Sequence, residues 1–262
     1  MKFILSTLIL VTLLSCATNK DKDQESATVK KAKLYYNKGT ADLLNKDYTI
    51  ALKHLLDSHA LNPNDSKTLN NLGMAYYFKK RPQTAIRFIK KSIEIDPKNT
   101  DARMNLATIY TNSNELNEAE KQYMTVLDDL TYQGQYKTYY NLALLHLKKN
   151  QRAKALTYFK QSLNENSQYC PAHYKLGEMF FNKGQYNLAL DKFKSASAGV
   201  CYDNPMPVYH QAVTYMKLKE FGTAKLKLEE ILERFSLTKY ETMARKKLKV
   251  LSNIQQRQIN QF

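Results

Sequence analysis

Glycine and proline are scarce in this chain, 7 and 6 among 262 residues. That scarcity excludes folds built on many tight turns, and the abundant Leu, Ala, Lys, Glu, Gln and Asn suit an all-helical protein. Three cysteines are too few for a disulfide-built scaffold. The five histidines (His54, His59, His146, His173 and His210) form no HExxH or other metal-ligand spacing. No GxSxG, phosphate loop or CxxC is present, and no stretch outside the pattern described below is large enough for an enzymatic domain. The chain is expected to be no enzyme, to hold no metal or cofactor and to take no small-molecule substrate. Acidic residues are also under-represented, 24 Asp+Glu against 40 Lys+Arg, a net charge of +16. Such an excess favours nucleic acid, anionic lipid or acidic protein partners, although lysines spread over solvated helix faces would give the same count.

A long apolar run is missing too. Phe3–Leu14 is apolar apart from Ser6, Thr7 and Thr12, whereas a membrane-spanning helix needs about 20 such residues. Lys2 before it and small residues after it make residues 1–15 a secretory signal. An exported protein does not meet cytoplasmic nucleic acid, so a basic nucleic-acid binder is the least favoured reading. The end of the run, Leu13-Leu14-Ser15-Cys16, resembles the lipobox of bacterial lipoproteins. The resemblance implies cleavage before Cys16 and acylation of that residue. Ala17, rather than Asp, then points to the outer membrane, with the protein facing the periplasm. The alternative is an ordinary cleaved signal with a free cysteine nearby. Residues 16–29 have almost nothing to bury and read as a lipidated cysteine on a flexible tether.

One alanine recurs through the rest: Ala51, Ala85, Ala119, Ala155, Ala189 and Ala224, at spacings of 34, 34, 36, 34 and 35. Twelve residues before each stands a small residue: Gly39, Gly73, Ala107, Ala143, Gly177 and Ala212. The pattern resembles the tetratricopeptide repeat, best in "NNLGMAYYFKKRPQTAIRFIKKSIEIDP". It implies an all-α superhelix of six helix-turn-helix repeats over residues 30–236, stabilised by stacking because one unit cannot cover its own apolar face. Tyr76, Tyr110, Phe180 and Tyr215 are expected to fill the space between units. Asn62-Pro63 and Asp96-Pro97 should end second helices, and Pro82 should begin one. Residues 237–262 read as a capping helix with a short tail. The spacing of 36, with Gly134 inside the insertion, marks the one irregular junction.

Cys170 opens the fifth repeat and Cys201 falls near its end, positions that an antiparallel hairpin brings to the same edge. A disulfide is the favoured reading, two buried free thiols the alternative. His173 lies three residues from Cys170, but a bridged cysteine leaves no thiol–imidazole pair.

By the family register, first helices present a partner groove that includes Tyr36, Asn70, Asn71, Met74, Tyr77, Met104, Asn105, Tyr140, Asn141, Leu144, Tyr174, Phe181 and Tyr209. Aromatic residues and Met give large contact area for little entropy loss. Asn is common at this repeat position, so part of the set can be packing alone. The Lys/Asn clamp that holds C-terminal carboxylates in one subfamily is missing; its positions are Tyr36/Thr40, Asn70/Met74 and Met104/Thr108.

The run "LTYQGQYKTYYNLALLHLKKNQRAKALTYFKQSLNENSQYCPAHYKLGEMFFNKGQYNLAL" resembles the central part of the type IV pilus pilotins, the PilF/PilW/Tgl-type outer-membrane lipoproteins. It departs from them at Thr131-Tyr132 and at Ala143, where Gly is common. The resemblance implies binding of a secretin subunit and help with its outer-membrane assembly. A general periplasmic adaptor recruiting cell-envelope enzymes or proteases is the alternative.

Overall fold

A computed structural model describes residues 27–259. The signal segment 1–15, Cys16 and the tether to residue 26 lie outside the described residues, and residues 27–29, read as tether, are already helical. No helix among the described residues is long and apolar enough to cross a membrane.

The described residues contain helices and no strand. Helix α1 covers residues 27–44. It is followed by α2 (Tyr48–Leu61), α3 (Ser66–Phe78), α4 (Pro82–Ile95), α5 (Thr100–Asn112) and α6 (Leu116–Leu127). Next come α7 (Gln135–Lys148), α8 (Arg152–Glu165), α9 (Cys170–Asn182) and α10 (Tyr186–Ala196). A 3-10 turn (Gly199–Cys201) precedes α11 (Pro205–Lys217), α12 (Phe221–Arg234) and α13 (Lys239–Ile259). Odd-numbered helices from α1 to α11 are the first of each hairpin, even-numbered helices the second. The chain divides into two compact units, residues 1–132 and 133–262. The division falls at the irregular junction, where α6 and α7 are separated by seven residues instead of the four between α2 and α3 or α4 and α5.

Local signals set the helix ends. Asp65, Asn99 and Asn204 cap α3, α5 and α11, their side-chain oxygens accepting from Thr68, Ala102 and Met206 N–H groups. Asn62 and Asp96 end α2 and α4, each just before a proline. Pro82 opens α4, where a missing N–H costs nothing. Between the first and second helix of every hairpin one residue takes the left-handed conformation: Lys46, Lys80, Asn114, Asn150, Gly184 and Lys219, with φ between 57° and 74°.

The recurring small residues are packing sites. All six repeat alanines have 0% exposure. An added Cβ at Gly39, Gly73 or Gly177 would sit 2.6, 2.3 or 2.6 Å from Leu55, Ile89 or Phe193. Each of those partners is sixteen residues downstream, and Tyr123, Phe159 and Leu228 hold the same offset from Ala107, Ala143 and Ala212. All six large residues are buried. In three hairpins a buried serine on the second helix closes the other end. Ser58, Ser92 and Ser162 Oγ donate to the carbonyls of Ala32, Ser66 and Tyr136 at 2.9, 2.7 and 2.7 Å. Of the aromatics expected between hairpins, Tyr110 and Tyr215 are buried, Tyr76 packs with Leu55 of the preceding hairpin, and Phe180 packs against the clusters around Phe159 and Phe193; Tyr76 also stacks on Phe88 within its own hairpin at 5.3 Å. Helix α13 caps the second unit, placing Ala244 and Leu251 against Leu228 and Ile231.

Cys170, at the start of α9, is joined by a disulfide to Cys201 in the 3-10 turn, with Cα atoms 6.4 Å apart. The bridge ties the first helix of the fifth hairpin to the eight-residue connection that follows its second helix.

These contacts set the cost of single substitutions. Gly73→Ala should destabilise the first unit by about 1–3 kcal/mol, because the new methyl overlaps Ile89. Gly222→Ala, with nothing within 4 Å of the new atom, should be neutral or slightly stabilising; urea unfolding of the two variants makes the comparison. Cys201→Ser should lower the urea midpoint of the second unit by an amount equivalent to about 3–4 kcal/mol on the chain-entropy account. A reductant should bring the parent protein to the same value.

Candidate protein-binding surface on the first helices

In the first unit the groove residues are heavily committed to one another. Asn71 Nδ2 donates to Thr40 Oγ1 at 2.9 Å, Asn70 to Asn71 Oδ1 at 3.3 Å, and Asn105 to Asn70 Oδ1 at 2.9 Å. This amide ladder runs across α1, α3 and α5 and fixes the register of three successive first helices. Asn70 and Met104 are buried, so they contribute to packing rather than to open surface. Tyr36, Met74 and Tyr77 are half-buried, and Tyr77 accepts a hydrogen bond from Asn112 Nδ2 at 2.7 Å. What this unit offers a partner is a half-covered strip of aromatic and thioether side chains over satisfied amides.

A cleft of about 230 Å3 lies beside Tyr36, among Val29, Lys33, Ser58, Asn62, Asp65 and Lys67. In the second unit two clefts lie along the first helices. One, of about 260 Å3, is lined by Tyr140, Pro171, Tyr174, Met206, Pro207 and the Cys170–Cys201 bridge. The other, of about 200 Å3, lies among Leu147, Arg152, Met179, Asn182 and Lys183. Lys175 and Glu178 line both clefts and are paired at 2.8 Å. The spacing of α9 produces this arrangement: Pro171, Tyr174, Lys175, Glu178 and Asn182 recur every three or four residues along one face.

Glu178 is the centre of the polar structure. Tyr174 OH donates to its carboxylate at 3.1 Å and lies 3.0 Å from His210 Nε2. Burial, and then the neighbouring carboxylate, holds the Tyr174 phenol well above its ordinary range, so it remains a donor. Burial beside Tyr140 and Tyr136 pushes Tyr169 up to about 12. Tyr140 packs edge-on against Tyr169 at 5.4 Å, and Tyr209 meets His210 edge-on at 5.8 Å. Tyr174 and Tyr209 are buried; Tyr140, Asn141, Leu144 and Phe181 are half-buried. Leu144 packs in the cluster around Phe159 and Leu176, and Phe181 sits edge-on to Tyr186 at 5.4 Å.

Each sequence-predicted groove residue thus lies on a first helix, yet the two clefts also use residues the register did not single out: Arg152, Lys175, Glu178, Met206 and the bridge itself. The periodicity of α9 carried the signal for Lys175 and Glu178. Arg152 and Met206 come from neighbouring helices, where only the stacked hairpins bring them near. The histidines act as packing groups. His146 is buried, 2.7 Å from Gln151 Oε1 and stacked on Tyr158, while His173 Nε2 meets the Ser167 carbonyl at 2.8 Å. No cluster of metal-ligating residues occurs among the described residues.

His210 gives the second unit a pH dependence. Burial holds its imidazole below the ordinary 6.5, opposed by the Glu178 carboxylate and aided by the Lys175 ammonium. The unfolded chain takes up the proton first, so stability is full above pH 6.5 and declines as pH falls below it. Urea midpoints measured from pH 7.5 down to 5.5 should fall, and His210→Gln should flatten part of that slope; His59, also lowered by burial and by Lys91, supplies a separate part in the first unit.

Comparison with known proteins agrees with this geometry. Two family models described as tetratricopeptide repeat match residues 79–142 and 140–199. Among curated proteins, the mouse and human protein O-mannosyl-transferase TMTC3 are 24% and 23% identical over 187 residues. The match takes in 66% of this chain, which spans about a fifth of the length of those relatives. Among solved structures, PilF of Pseudomonas aeruginosa superposes with a TM-score of 0.69 at 15% identity, covering 84% of this chain and 99% of that one. PilW, described as a widely conserved type IV pilus biogenesis factor, gives 0.69 at 18% identity, covering 81% and 97%. A tetratricopeptide repeat protein from Parabacteroides merdae gives 0.61 at 18%, covering 86% and 88%. The chain is an all-α array of tetratricopeptide repeats with a capping helix, a fold that typically binds protein partners.

Proposed function

We propose that this protein is an outer-membrane lipoprotein that binds a secretin and promotes its assembly during type IV pilus biogenesis. It acts by holding a polypeptide, not by catalysis. The observation that carries the reading is the likeness in fold to PilF and PilW over nearly the whole of both proteins. The lipobox-like run ending at Cys16 supports the anchoring half. The two clefts of the second unit supply a surface on which an extended segment can lay side chains of different character.

In this mechanism acyl chains on Cys16 hold the protein at the inner leaflet of the outer membrane, facing the periplasm. Two or more chains are needed for a stable anchor. Residues 17–26, ahead of α1, give at most about 35 Å of reach. The first helices then retain a secretin segment, and tethering raises its effective concentration where the multimer must form. An apolar side chain of the partner would fill the cleft beside the disulfide, whose walls are Pro171, Met206 and Pro207.

Replacing Cys16 with Ala in the native host should leave a folded, soluble protein that no longer supports secretin multimers, as read by unheated gel electrophoresis of the envelope. Normal multimers in that strain would contradict the mechanism.

A further inference from the structure

The charges lining the two clefts of the second unit do not cancel. Glu178 is the one carboxylate lining either of them, and it is already taken: Lys175 pairs with it at 2.8 Å and Tyr174 OH donates to it at 3.1 Å. Arg152 and Lys183, in the cleft beside Leu147 and Met179, are exposed and have no ion pair among the described residues. That cleft is left with two uncompensated cations. The edge around it has the same sign. At the turns inside the hairpins of this unit stand Lys148, Lys149, Arg152, Lys183, Lys217 and Lys219, against Glu220 alone. A field of one sign around a cleft draws in the opposite one.

The neighbouring cleft is apolar and aromatic, walled by Tyr140, Pro171, Met206 and Pro207. The α9 residues that line one cleft and those that line the other are centred about eight positions apart, or about 12 Å along a helix. An extended chain covers that distance in about four residues. At about 260 and 200 Å3 both clefts are smaller than the usual small-molecule site of about 300–1,000 Å3, and each suits a single side chain.

We infer that the two clefts together read an extended segment carrying an apolar side chain and, about four residues from it, an acidic one. The apolar side chain enters the cleft beside the Cys170–Cys201 bridge, and the carboxylate meets Arg152 and Lys183. Arg152 offers a planar fork that suits a carboxylate, Lys183 a compact charge. The carboxylate belongs to a side chain rather than a chain end, because both cations stand exposed at the edge of the stack, where a partner chain can run on past them. A nucleic acid would answer the cations and leave the apolar cleft empty. The assignment rests on the reading that the first helices hold a polypeptide, and it names what that polypeptide carries.

The test selects short random peptides, displayed between fixed flanking residues, on the acyl-free chain, residues 17–262, which keeps every described residue. Enriched peptides should share an apolar residue with Asp or Glu about four positions away. Synthesised with both ends blocked, such a peptide should lose at least about fivefold in affinity when its acid becomes Gln. Arg152→Gln combined with Lys183→Gln should cost the parent peptide as much, and the two changes together little more than either alone. Lys154→Gln with Lys160→Gln, exposed on α8 and lining neither cleft, should change affinity by less than about twofold. Unchanged urea midpoints check that these surface variants keep the fold. An acid-to-Gln loss that persists in full without Arg152 and Lys183 would overturn the assignment. So would equal affinity for a Gln peptide that ends in a free carboxylate at the acidic position, or anionic vesicles bound with the same dependence on the two cations. Enrichment of peptides lacking the acid overturns it and leaves the polypeptide-holding reading in place. No enrichment also overturns it, and secretin assembly in the Cys16→Ala strain then decides the broader reading by itself.

Discussion

In every hairpin a glycine or alanine on the first helix faces a large buried side chain sixteen residues downstream on the second. A methyl group added at Gly73 would overlap Ile89, so the interlock sets how closely the two backbones run. Everything else depends on that distance. It turns the second helix outward as a support and leaves the first helix with a face to present. Stacking one hairpin on the next then buries the aromatic residues between them, as with Tyr110 and Tyr215. Two ends of the hairpin are pinned as well, by the left-handed turn residues at one end and, in three hairpins, by a buried serine at the other.

Given that common frame, the two units use their first helices differently. In the first, amides from Asn70, Asn71 and Asn105 are spent on one another, and half-covered Tyr36, Met74 and Tyr77 face a partner, with a cleft beside Tyr36. In the second, Pro171, Met206 and the Cys170–Cys201 bridge form walls of a cleft. The Lys175–Glu178 pair divides it from the more basic cleft near Arg152 and Lys183. A peptide lying along α9 would thus meet an apolar, aromatic pocket and then a cationic one. The bridge belongs to this site as much as to the stability of the unit, because it fixes the connection that forms one wall.

Much of the fold could be read from spacing. Periodic small residues mark where helices touch, and Asn62-Pro63, Asp96-Pro97 and Pro82 mark where helices stop and start. Those are local signals, and each lies where the repeat register puts it. The disulfide was legible for a related reason: in an antiparallel hairpin the sequence separation of Cys170 and Cys201 returns the chain to the same edge. The site was less legible. Repeat position says that a residue lies on a first helix, but not whether a neighbouring hairpin covers it, and Asn70, Met104, Tyr174 and Tyr209 are covered. Nor does it reveal that Arg152 or Met206 reaches the clefts, since that depends on how hairpins from separate parts of the sequence stack.

The central claim is that the first helices of the second unit hold another polypeptide. Site-specific photocrosslinking in the native envelope tests it most directly, with the reactive side chain placed at Asn141 or Phe181 on first helices, or at Leu226, 66% exposed on α12. The account predicts a discrete crosslinked polypeptide from Asn141 and Phe181 and none from Leu226. Crosslinks from Leu226 alone, or none from the two first-helix positions, would contradict it.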